Sequence, residues 1–296
     1  PERAHQRSPR ADGVLARVRQ APSLHAMHAM LAKTRGALQA GKTIVGHWHC
    51  VGSPLLAETV TATTDYDVLV VDCQHGQIDA PLAMSIMASV RAPTAPWVRL
   101  RDAQPSHIHH VLDAGALGVI APLINTAEDA ESLVRESSYP PRGTRSFGPL
   151  RAGLLAPDYF ASADEAVCRW AMIETASALD NVDAIVAVEG ITGVFIGPND
   201  LSLALGVPPS SSPEHPAIVS AIKRIKEAAH RAGKKAGIFC GDGTYAGAMA
   251  ADGFDFVIAG TDQGLLSAAG ARELQAAREG SGGAETGRGD LPKGGY

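Results

Sequence analysis

Met172-Ile173-Glu174-Thr175 and Phe195-Ile196-Gly197-Pro198-Asn199-Asp200 are two short apolar runs, and each run closes on an acidic residue. Each has the length and composition of a β-strand. The 26 residues that separate Glu174 from Asp200 are enough for one helical crossover between parallel strands. The two stretches therefore predict a β/α repeat in which both carboxylates lie at the same edge of a sheet.

The same repeat extends along most of the 296-residue chain. The predicted strands are Thr43–Trp48, Val68–Asp72, Trp97–Leu100, Gly118–Ala121, Trp170–Ile173, Gly193–Ile196, Lys235–Phe239 and Phe254–Ala259. Helix-like segments between them include Ala80–Val90, Ser106–Ala114, Glu128–Glu136 and Pro216–Ala232. Continuously apolar strands are typical of a parallel sheet covered by helices. Eight such units in this length favour an α/β fold, a (β/α)8 TIM barrel, over an open doubly wound sheet.

Composition divides the chain into a barrel and two tails. Residues 1–22 are rich in Arg, Ala, Pro and Ser and predict a flexible N-terminal arm. The barrel is assigned to residues 23–279, and Leu24–Leu38 predicts an N-terminal helix that ends before a glycine. Residues 280–296 predict a flexible Gly-rich tail. The long Gly/Pro segment Tyr139–Pro149 predicts a binding loop.

Charge and cysteine content narrow the functional class. The net charge is −5 and basic residues are scattered, which argues against a nucleic-acid partner. No apolar run approaches the roughly 20 residues of a membrane span. The four cysteines contain no C-x-x-C pair and predict reduced thiols in a cytoplasmic enzyme. Because the chain begins at Pro1 without a methionine, a preceding targeting peptide stays an open alternative.

The C-terminal ends of barrel strands are where chemistry is expected. These ends carry Trp48, Asp72 with His75, Arg99, Pro122, Glu174, Asp200, Cys240 and Gly260. Because an unpaired buried carboxylate is costly, Glu174 and Asp200 predict a shared divalent cation, although each alone could be a solvated acid in a loop. Arg99 is expected at the barrel mouth, or in a structural ion pair with Asp72 or Asp102.

The histidines are ambiguous from sequence alone. His75 could be a surface histidine. The segment His107–His110 places three histidines within one helical turn, but no acid or cysteine is seen to complete a metal site there. His47 and His49, which flank Trp48 on the first strand, are ambiguous in the same way.

Several motifs resemble those of the HpcH/HpaI family of metal-dependent 2-oxo acid aldolases over residues 30–275. They are Val71-Asp72-Cys73-Gln74-His75-Gly76, Val98-Arg99, Leu112-Asp113-Ala114-Gly115, Tyr139-Pro140-Pro141-x-Gly143-x-Arg145, Ile173-Glu174-Thr175 and Gly193-Val194-Phe195-Ile196-Gly197-Pro198-Asn199-Asp200-Leu201-Ser202. The resemblance implies a phosphoenolpyruvate/pyruvate-type barrel that makes and uses a pyruvate enolate. It also implies a homo-oligomer, a hexamer built as a trimer of dimers, with a swapped-type C-terminal helix.

The resemblance implies roles for individual residues. Glu174 and Asp200 match the metal carboxylates, and Arg99 matches the arginine beside the pyruvate oxygen. His75 matches the catalytic base, and Asp113 matches the acid that pairs with it. The other substrate-binding residues that it implies are Trp48, Gln74, Ser146, Met172, Pro198 and Asn199.

Two positions depart from the family pattern. Gln74 stands where the family's D-x-E-H motif has glutamate, so hydrogen bonds around metal-bound water are expected to differ. Met172 replaces a frequent glutamine and removes a polar substrate contact.

The implied cofactor is a divalent cation in an oxygen site, Mg²⁺, Mn²⁺ or Co²⁺. The implied substrates are pyruvate or oxaloacetate and an aldehyde. Two alternatives stay open. One is an oxaloacetate decarboxylase or a macrophomate synthase-like enolate-trapping enzyme, and the other is a catalytically silent barrel that binds a small acid.

Overall fold

Eight parallel strands close into a barrel in the computed structural model, which describes residues 27, 29–156 and 158–280. The strands are β1 Ile44–His49, β2 Val68–Asp72, β3 Ala95–Arg99, β4 Gly118–Ala121, β5 Cys168–Ile173, β6 Gly193–Ile196, β7 Lys235–Ile238 and β8 Phe256–Thr261. β1 pairs with β8, which closes the sheet. The predicted (β/α)8 barrel is confirmed, and every strand boundary agrees with its prediction to within two residues.

Helices connect the strands on the outside of the barrel. They are α1 Ala37–Gln39, α2 Pro54–Thr63, α3 Ala80–Ser89, α4 Pro105–Asp113, α5 Ala127–Ser137, α6 Ala152–Leu155, α7 Tyr159–Ala166, α8 Ala176–Asp180, α9 Val182–Ala187, α10 Pro198–Ala204, α11 Pro216–Arg231, α12 Gly243–Ala251 and α13 Asp262–Gly280. The side chains of Ser53, Asp79 and Thr126 accept hydrogen bonds from the first turns of α2, α3 and α5. Such caps satisfy backbone N–H groups that would otherwise lack partners.

The N-terminal helix is confirmed in its described part. A π-helical turn, Ala32–Gly36, runs into α1, and the chain then turns at Gly41 with φ +70°. Only glycine adopts that conformation without strain, so the glycine stop has its expected cause. The arm at residues 1–22 and the tail from residue 281 lie outside the described residues, whereas Gly280 is the last residue of α13.

Aromatic side chains fill the barrel interior. Trp48 stacks on Phe195 at 5.7 Å between ring centroids, and Trp97 meets Phe256 edge-on at 5.0 Å. Gly118 is required beside them, because a Cβ atom there would lie 2.6 Å from the Trp97 ring. A second, aliphatic layer lies between the strands and the helices. Since strand residues alternate between these two layers, Trp48 faces inward while its neighbours face the helices.

The C-terminal helix α13 is exposed along almost its whole length after Asp262. Leu265, Leu266 and Leu274 are among its exposed residues. The predicted exchange of this helix between subunits stays a prediction, for which this apolar surface is suitable. In the part of the chain that the structure describes, no helix is both long and apolar enough to span a membrane.

Candidate active site

A cavity of about 880 Å³ opens at the C-terminal mouth of the barrel. Seven predicted site residues line it: Trp48, His75, Arg99, Met172, Pro198, Asn199 and Asp200. Other parts of the wall were not assigned from the sequence, and they include Phe239, residues 209–212 and the first turns of α13. No sequence motif marks these residues, and only the fold brings them to the mouth of the barrel.

Glu174 lies directly after β5 and is only 1% exposed. Its Oε1 atom accepts a hydrogen bond from the Leu123 backbone N–H at 2.8 Å. Its Oε2 atom is buried and has no hydrogen-bond partner among the described residues. Burial raises the pKa of Glu174 to about 7, and the charge of Asp200 adds to the rise, while the Leu123 N–H and Arg99 oppose it. A buried carboxylate with one unsatisfied oxygen is the type of group that a bound cation would stabilise.

Asp200 and Gly197 line the cavity next to Glu174, which is not itself among the lining residues. Asp200 is exposed in the first turn of α10. A Cβ atom at Gly197 would lie 2.6 Å from Oε2 of Glu174 and 2.7 Å from the Met172 side chain. Glycine is therefore needed for the backbone to pass so close to the carboxylate. Two carboxylates, one with an unpaired oxygen, suit a hard divalent ion such as Mg²⁺ or Mn²⁺.

Leu123 contributes to the site through its backbone, which the sequence analysis missed. It follows β4 with φ +55°, a left-handed conformation that costs a non-glycine residue roughly 1–2 kcal/mol. The Asn125 side chain donates to the Leu123 carbonyl at 2.9 Å, and the Thr175 hydroxyl donates to Asn125. These bonds hold the Leu123 N–H toward Glu174. No residue pattern in the sequence signals this conformation.

Arg99 and Asp72 form a buried ion pair beside Trp48. The Arg99 Nε and Nη2 atoms donate to the two Asp72 oxygens at 2.8 and 2.5 Å. Trp48 Nε1 donates to the same carboxylate at 3.2 Å, and the Arg99 guanidinium lies 4.9 Å from the Trp48 ring centroid. Burial alone would raise the pKa of Asp72, but the bonds and charge of Arg99 outweigh it and lower that pKa. Arg99 thus pairs with Asp72 and also lines the cavity.

A tight turn after β2 places His75 at the cavity. The backbone N–H groups of Gln74 and His75 donate to Oδ1 of Asp72 at 3.0 and 3.2 Å. A Cβ atom at Gly76 would lie 2.3 Å from the Asp72 carbonyl oxygen, so the turn requires glycine there. His75 is exposed to the cavity. Gln74 is half-buried and is not among the cavity-lining residues, and its side-chain oxygen has no hydrogen-bond partner in the described chain.

Asp113 and Ser146 lie elsewhere in this protomer. The buried Arg145 donates to the Asp113 carboxylate at 2.7 Å and to the Tyr159 hydroxyl at 3.0 Å. Ser146 lies on an open cleft with Tyr139, and neither Ser146 nor Asp113 is among the residues that line the cavity. The segment Tyr139–Pro149, predicted as a binding loop, contributes to this second cleft, because Arg145 holds it against α4 and α7. The pairing of Asp113 with His75 stays a prediction.

The histidines of α4 have acidic partners that the sequence analysis did not find. His107 lies 2.6 Å from Asp102, and His109 lies 3.7 Å from Glu136. These acids form separate ion pairs with the histidines and do not complete a metal site among the described residues, as the sequence analysis expected.

Comparisons with known proteins identify the family of the chain. The family model of HpcH/HpaI aldolase/citrate lyase matches residues 45–269. A hydroxypyruvate/pyruvate aldolase of Rhizorhabdus wittichii is 45% identical over 248 residues, which cover 83% of the chain and 98% of the relative. A 4-hydroxy-2-oxovalerate aldolase of Rhodococcus jostii is 36% identical, with 81% and 94% covered.

A solved structure shows the same architecture. The crystal structure of an HpcH/HpaI aldolase/citrate lyase family protein from Burkholderia cenocepacia has a TM-score of 0.75 and 30% sequence identity to the chain. The match covers 80% of this chain and 95% of that protein. The chain therefore belongs to the HpcH/HpaI aldolase/citrate lyase family and is a class II aldolase, a carbon–carbon lyase.

Proposed function

We propose that the protein cleaves or forms 4-hydroxy-2-oxo acids through a pyruvate enolate, with a divalent metal held by Glu174 and Asp200. The observation that carries the proposal is the unpaired, buried Oε2 atom of Glu174. It lies near the charge of Asp200, beside a cavity that Arg99 also lines. The relatives named above are a hydroxypyruvate/pyruvate aldolase and a 4-hydroxy-2-oxovalerate aldolase, which supports a pyruvate-type donor.

The residues present suit Mg²⁺, Mn²⁺ or Co²⁺ better than zinc at this position, because the donors are carboxylate oxygens. A bound ion would supply Lewis-acid stabilisation of the negative charge that develops on the substrate. The Leu123 N–H fixes one oxygen of Glu174, so the carboxylate has a defined orientation beside the cavity. Asp200 is exposed and can adjust to the ion as it binds.

Arg99 supplies a fixed positive charge for the enolate oxygen. Asp72 holds two guanidinium nitrogens, and Trp48 packs against the guanidinium, so its orientation is set before substrate arrives. Charge that is oriented in advance requires no rearrangement during the reaction, and it is often the largest electrostatic contribution to catalysis. Asp72 is thus a positioning residue for Arg99.

His75 moves the proton of the distal hydroxyl in this proposal. It lies on the cavity wall after β2, and histidine is the side chain best suited to proton transfer near neutral pH. The cavity is larger than pyruvate requires, which leaves space for the aldehyde. Hydroxyl side chains at Ser210, Ser211 and Ser212 line that wall and favour a polar acceptor.

Oligomerisation belongs to the same proposal. Exposed apolar side chains cluster at the second cleft, where Phe147 and Phe160 are 69% and 57% exposed, and others lie on α13. Such surfaces are typical of contacts between subunits. We propose that copies of the chain associate through these surfaces and that Asp113, at the edge of the second cleft, acts in the assembled enzyme.

The test is metal-dependent release of pyruvate from a 4-hydroxy-2-oxo acid by the purified full-length protein. We expect turnover with Mg²⁺, Mn²⁺ or Co²⁺, none after chelation, and loss of turnover in Glu174→Gln. Activity on oxaloacetate alone would favour the decarboxylase instead. No metal-dependent turnover of either compound, with metal still bound, would favour a silent binding barrel.

A further inference from the structure

His47 and His49 lie on the outer face of β1, opposite the cavity-lining Trp48. Residues i and i+2 of a strand project to the same side, so the two imidazoles are neighbours, with ring centroids 6.1 Å apart. Both side chains are fully buried. Tyr66 packs against the His47 ring at 5.3 Å.

Asp262 lies beside His49, although it is far from it in sequence and follows the last strand, β8. It is the first residue of α13 and is 4% exposed. Its carboxylate accepts backbone N–H bonds from Cys50, Val51 and Gln263 at 2.9–3.1 Å. Its Oδ2 atom lies 3.2 Å from Nδ1 of His49. These bonds fix the carboxylate while it faces the imidazole.

The two imidazoles make no hydrogen bond of normal geometry within the described residues. None of the four ring nitrogens of His47 and His49 has a hydrogen-bond partner among the described residues. His49 has polar neighbours in the Asp262 carboxylate and the Ser53 backbone. Neither ring nitrogen of the buried His47 has a hydrogen-bond partner in the described part of the chain, and each buried polar group without a partner costs about 1–3 kcal/mol, so this imidazole needs an explanation.

We propose that His47, His49 and Asp262 bind a divalent transition metal of the zinc class, at a site separate from Glu174 and Asp200. One ligand atom from each of the three residues lies within 4.8 Å of the others. Ligands of a tetrahedral zinc ion lie roughly 2.0–2.1 Å from the metal, so a small rearrangement of these side chains brings them into range.

The ligand chemistry distinguishes the two sites. Two imidazole nitrogens and one carboxylate favour zinc over magnesium, whereas the Glu174 and Asp200 oxygens favour magnesium or manganese. Ligating carboxylates in metal sites are themselves held by hydrogen bonds, as Asp262 is by three backbone N–H groups.

The position gives this ion a structural role. It would tie the C-terminal end of β1 to the start of α13, across the seam where β1 and β8 close the barrel. Trp48 lies between the two histidines, and Gly264 and Leu265 lie just after Asp262. All three line the cavity. An ion at this seam therefore sets the distance between two walls of the active-site cavity.

The test uses the full-length chain carrying Glu174→Gln and Asp200→Asn, which removes the oxygen site. This protein is loaded with Co²⁺, and its visible absorption and metal content are measured. Four-coordinate Co²⁺ with nitrogen ligands absorbs strongly, whereas Co²⁺ in a six-coordinate oxygen site absorbs weakly. We expect one strongly absorbing equivalent per chain that Zn²⁺ displaces.

The same protein with His47→Gln or His49→Gln should lose that equivalent. His110→Gln is the matched control, since His110 is an exposed histidine on α4, and this variant should keep the equivalent. If the glutamine variants fail to fold by circular dichroism, the double change His47→Leu and His49→Leu replaces them. Absence of the band from the parent protein, or its persistence in the folded ligand variants, overturns the proposal.

Discussion

Glu174→Gln should stabilise the metal-free protein although it removes a proposed metal ligand. The wild-type carboxylate is buried with an unpaired oxygen and lies near the charge of Asp200. Glutamine has nearly the same shape and keeps an oxygen that can accept the Leu123 N–H. It carries no charge, so its burial costs less than that of the ionised carboxylate.

The magnitude follows from the pKa of Glu174, which burial raises from 4.5 to about 7. The pKa of Glu174 is higher in the folded state than in the unfolded state. The stability that protonated Glu174 contributes is therefore fully present below pH 4.5 and is lost as the pH rises to about 7. The full difference is about 3 kcal/mol, since each pKa unit corresponds to 1.36 kcal/mol. The variant should therefore exceed wild type by at most about 3 kcal/mol above pH 7 and by much less near pH 4.5.

Urea unfolding in EDTA, at pH values between 4.5 and 8.5, measures this difference. Glu131→Gln is the control, because Glu131 is exposed on α5 and its charge has no burial cost. The order should reverse with Mg²⁺ or Mn²⁺, which binds the folded wild type. Metal at about 1,000 times its dissociation constant adds about 4.1 kcal/mol to the free energy of unfolding of wild type alone, which exceeds the advantage of the variant.

Equal stability of Glu174→Gln and wild type in EDTA at pH 8.5 would refute this reasoning. So would a difference between them that does not change with pH. Either result would mean that Glu174 is solvated or paired in the metal-free protein. The proposed metal site would then lose the observation on which it rests.

The remaining predictions concern other parts of the chain. His75→Ala should reduce aldol cleavage by roughly 10²–10⁴-fold but spare oxaloacetate decarboxylation, which needs no such base. Arg99→Lys should lose both reactions, because a point charge does not reproduce the guanidinium geometry fixed by Asp72. Leu123→Gly should relieve about 1 kcal/mol of backbone strain while loosening the N–H that orients Glu174, so thermal unfolding should shift upward while metal affinity falls. Removal of residues 281–296 should leave kcat unchanged, since that segment has little apolar surface.

Each of these four predictions has an experimental result that would contradict it. Equal loss of both reactions in His75→Ala, assayed at saturating metal, would assign His75 to the pyruvate or metal site instead. Substantial activity in Arg99→Lys would show that charge alone suffices. Metal titration of Leu123→Gly with unchanged affinity would remove the role given to the backbone N–H. A large fall in kcat on truncation would show that the tail acts at a site.

Local sequence patterns were enough to predict the architecture and seven of the residues that line the cavity. Strand periodicity and strand-ending polar residues are local features, and a barrel gathers all strand ends at one mouth whatever their order. Seven predicted residues consequently line the cavity, from Trp48 to Asp200. The exceptions show the limit of this rule. Glu174 and Gln74 follow strand ends but do not line the cavity, whereas Asp113 ends α4 and Ser146 lies next to Arg145 at the second cleft.

The contacts between particular polar groups became visible only in the folded barrel. The neighbouring register of β2 and β3 brings Asp72 to Arg99, and a left-handed residue, Leu123, aims its N–H at Glu174. Closure of β1 against β8 brings His49 to Asp262. These contacts join residues distant in sequence, or depend on one backbone angle, and neither leaves a periodic pattern. Local physical chemistry fixed the elements of this protein, whereas the closed barrel fixed the partners of its buried charges.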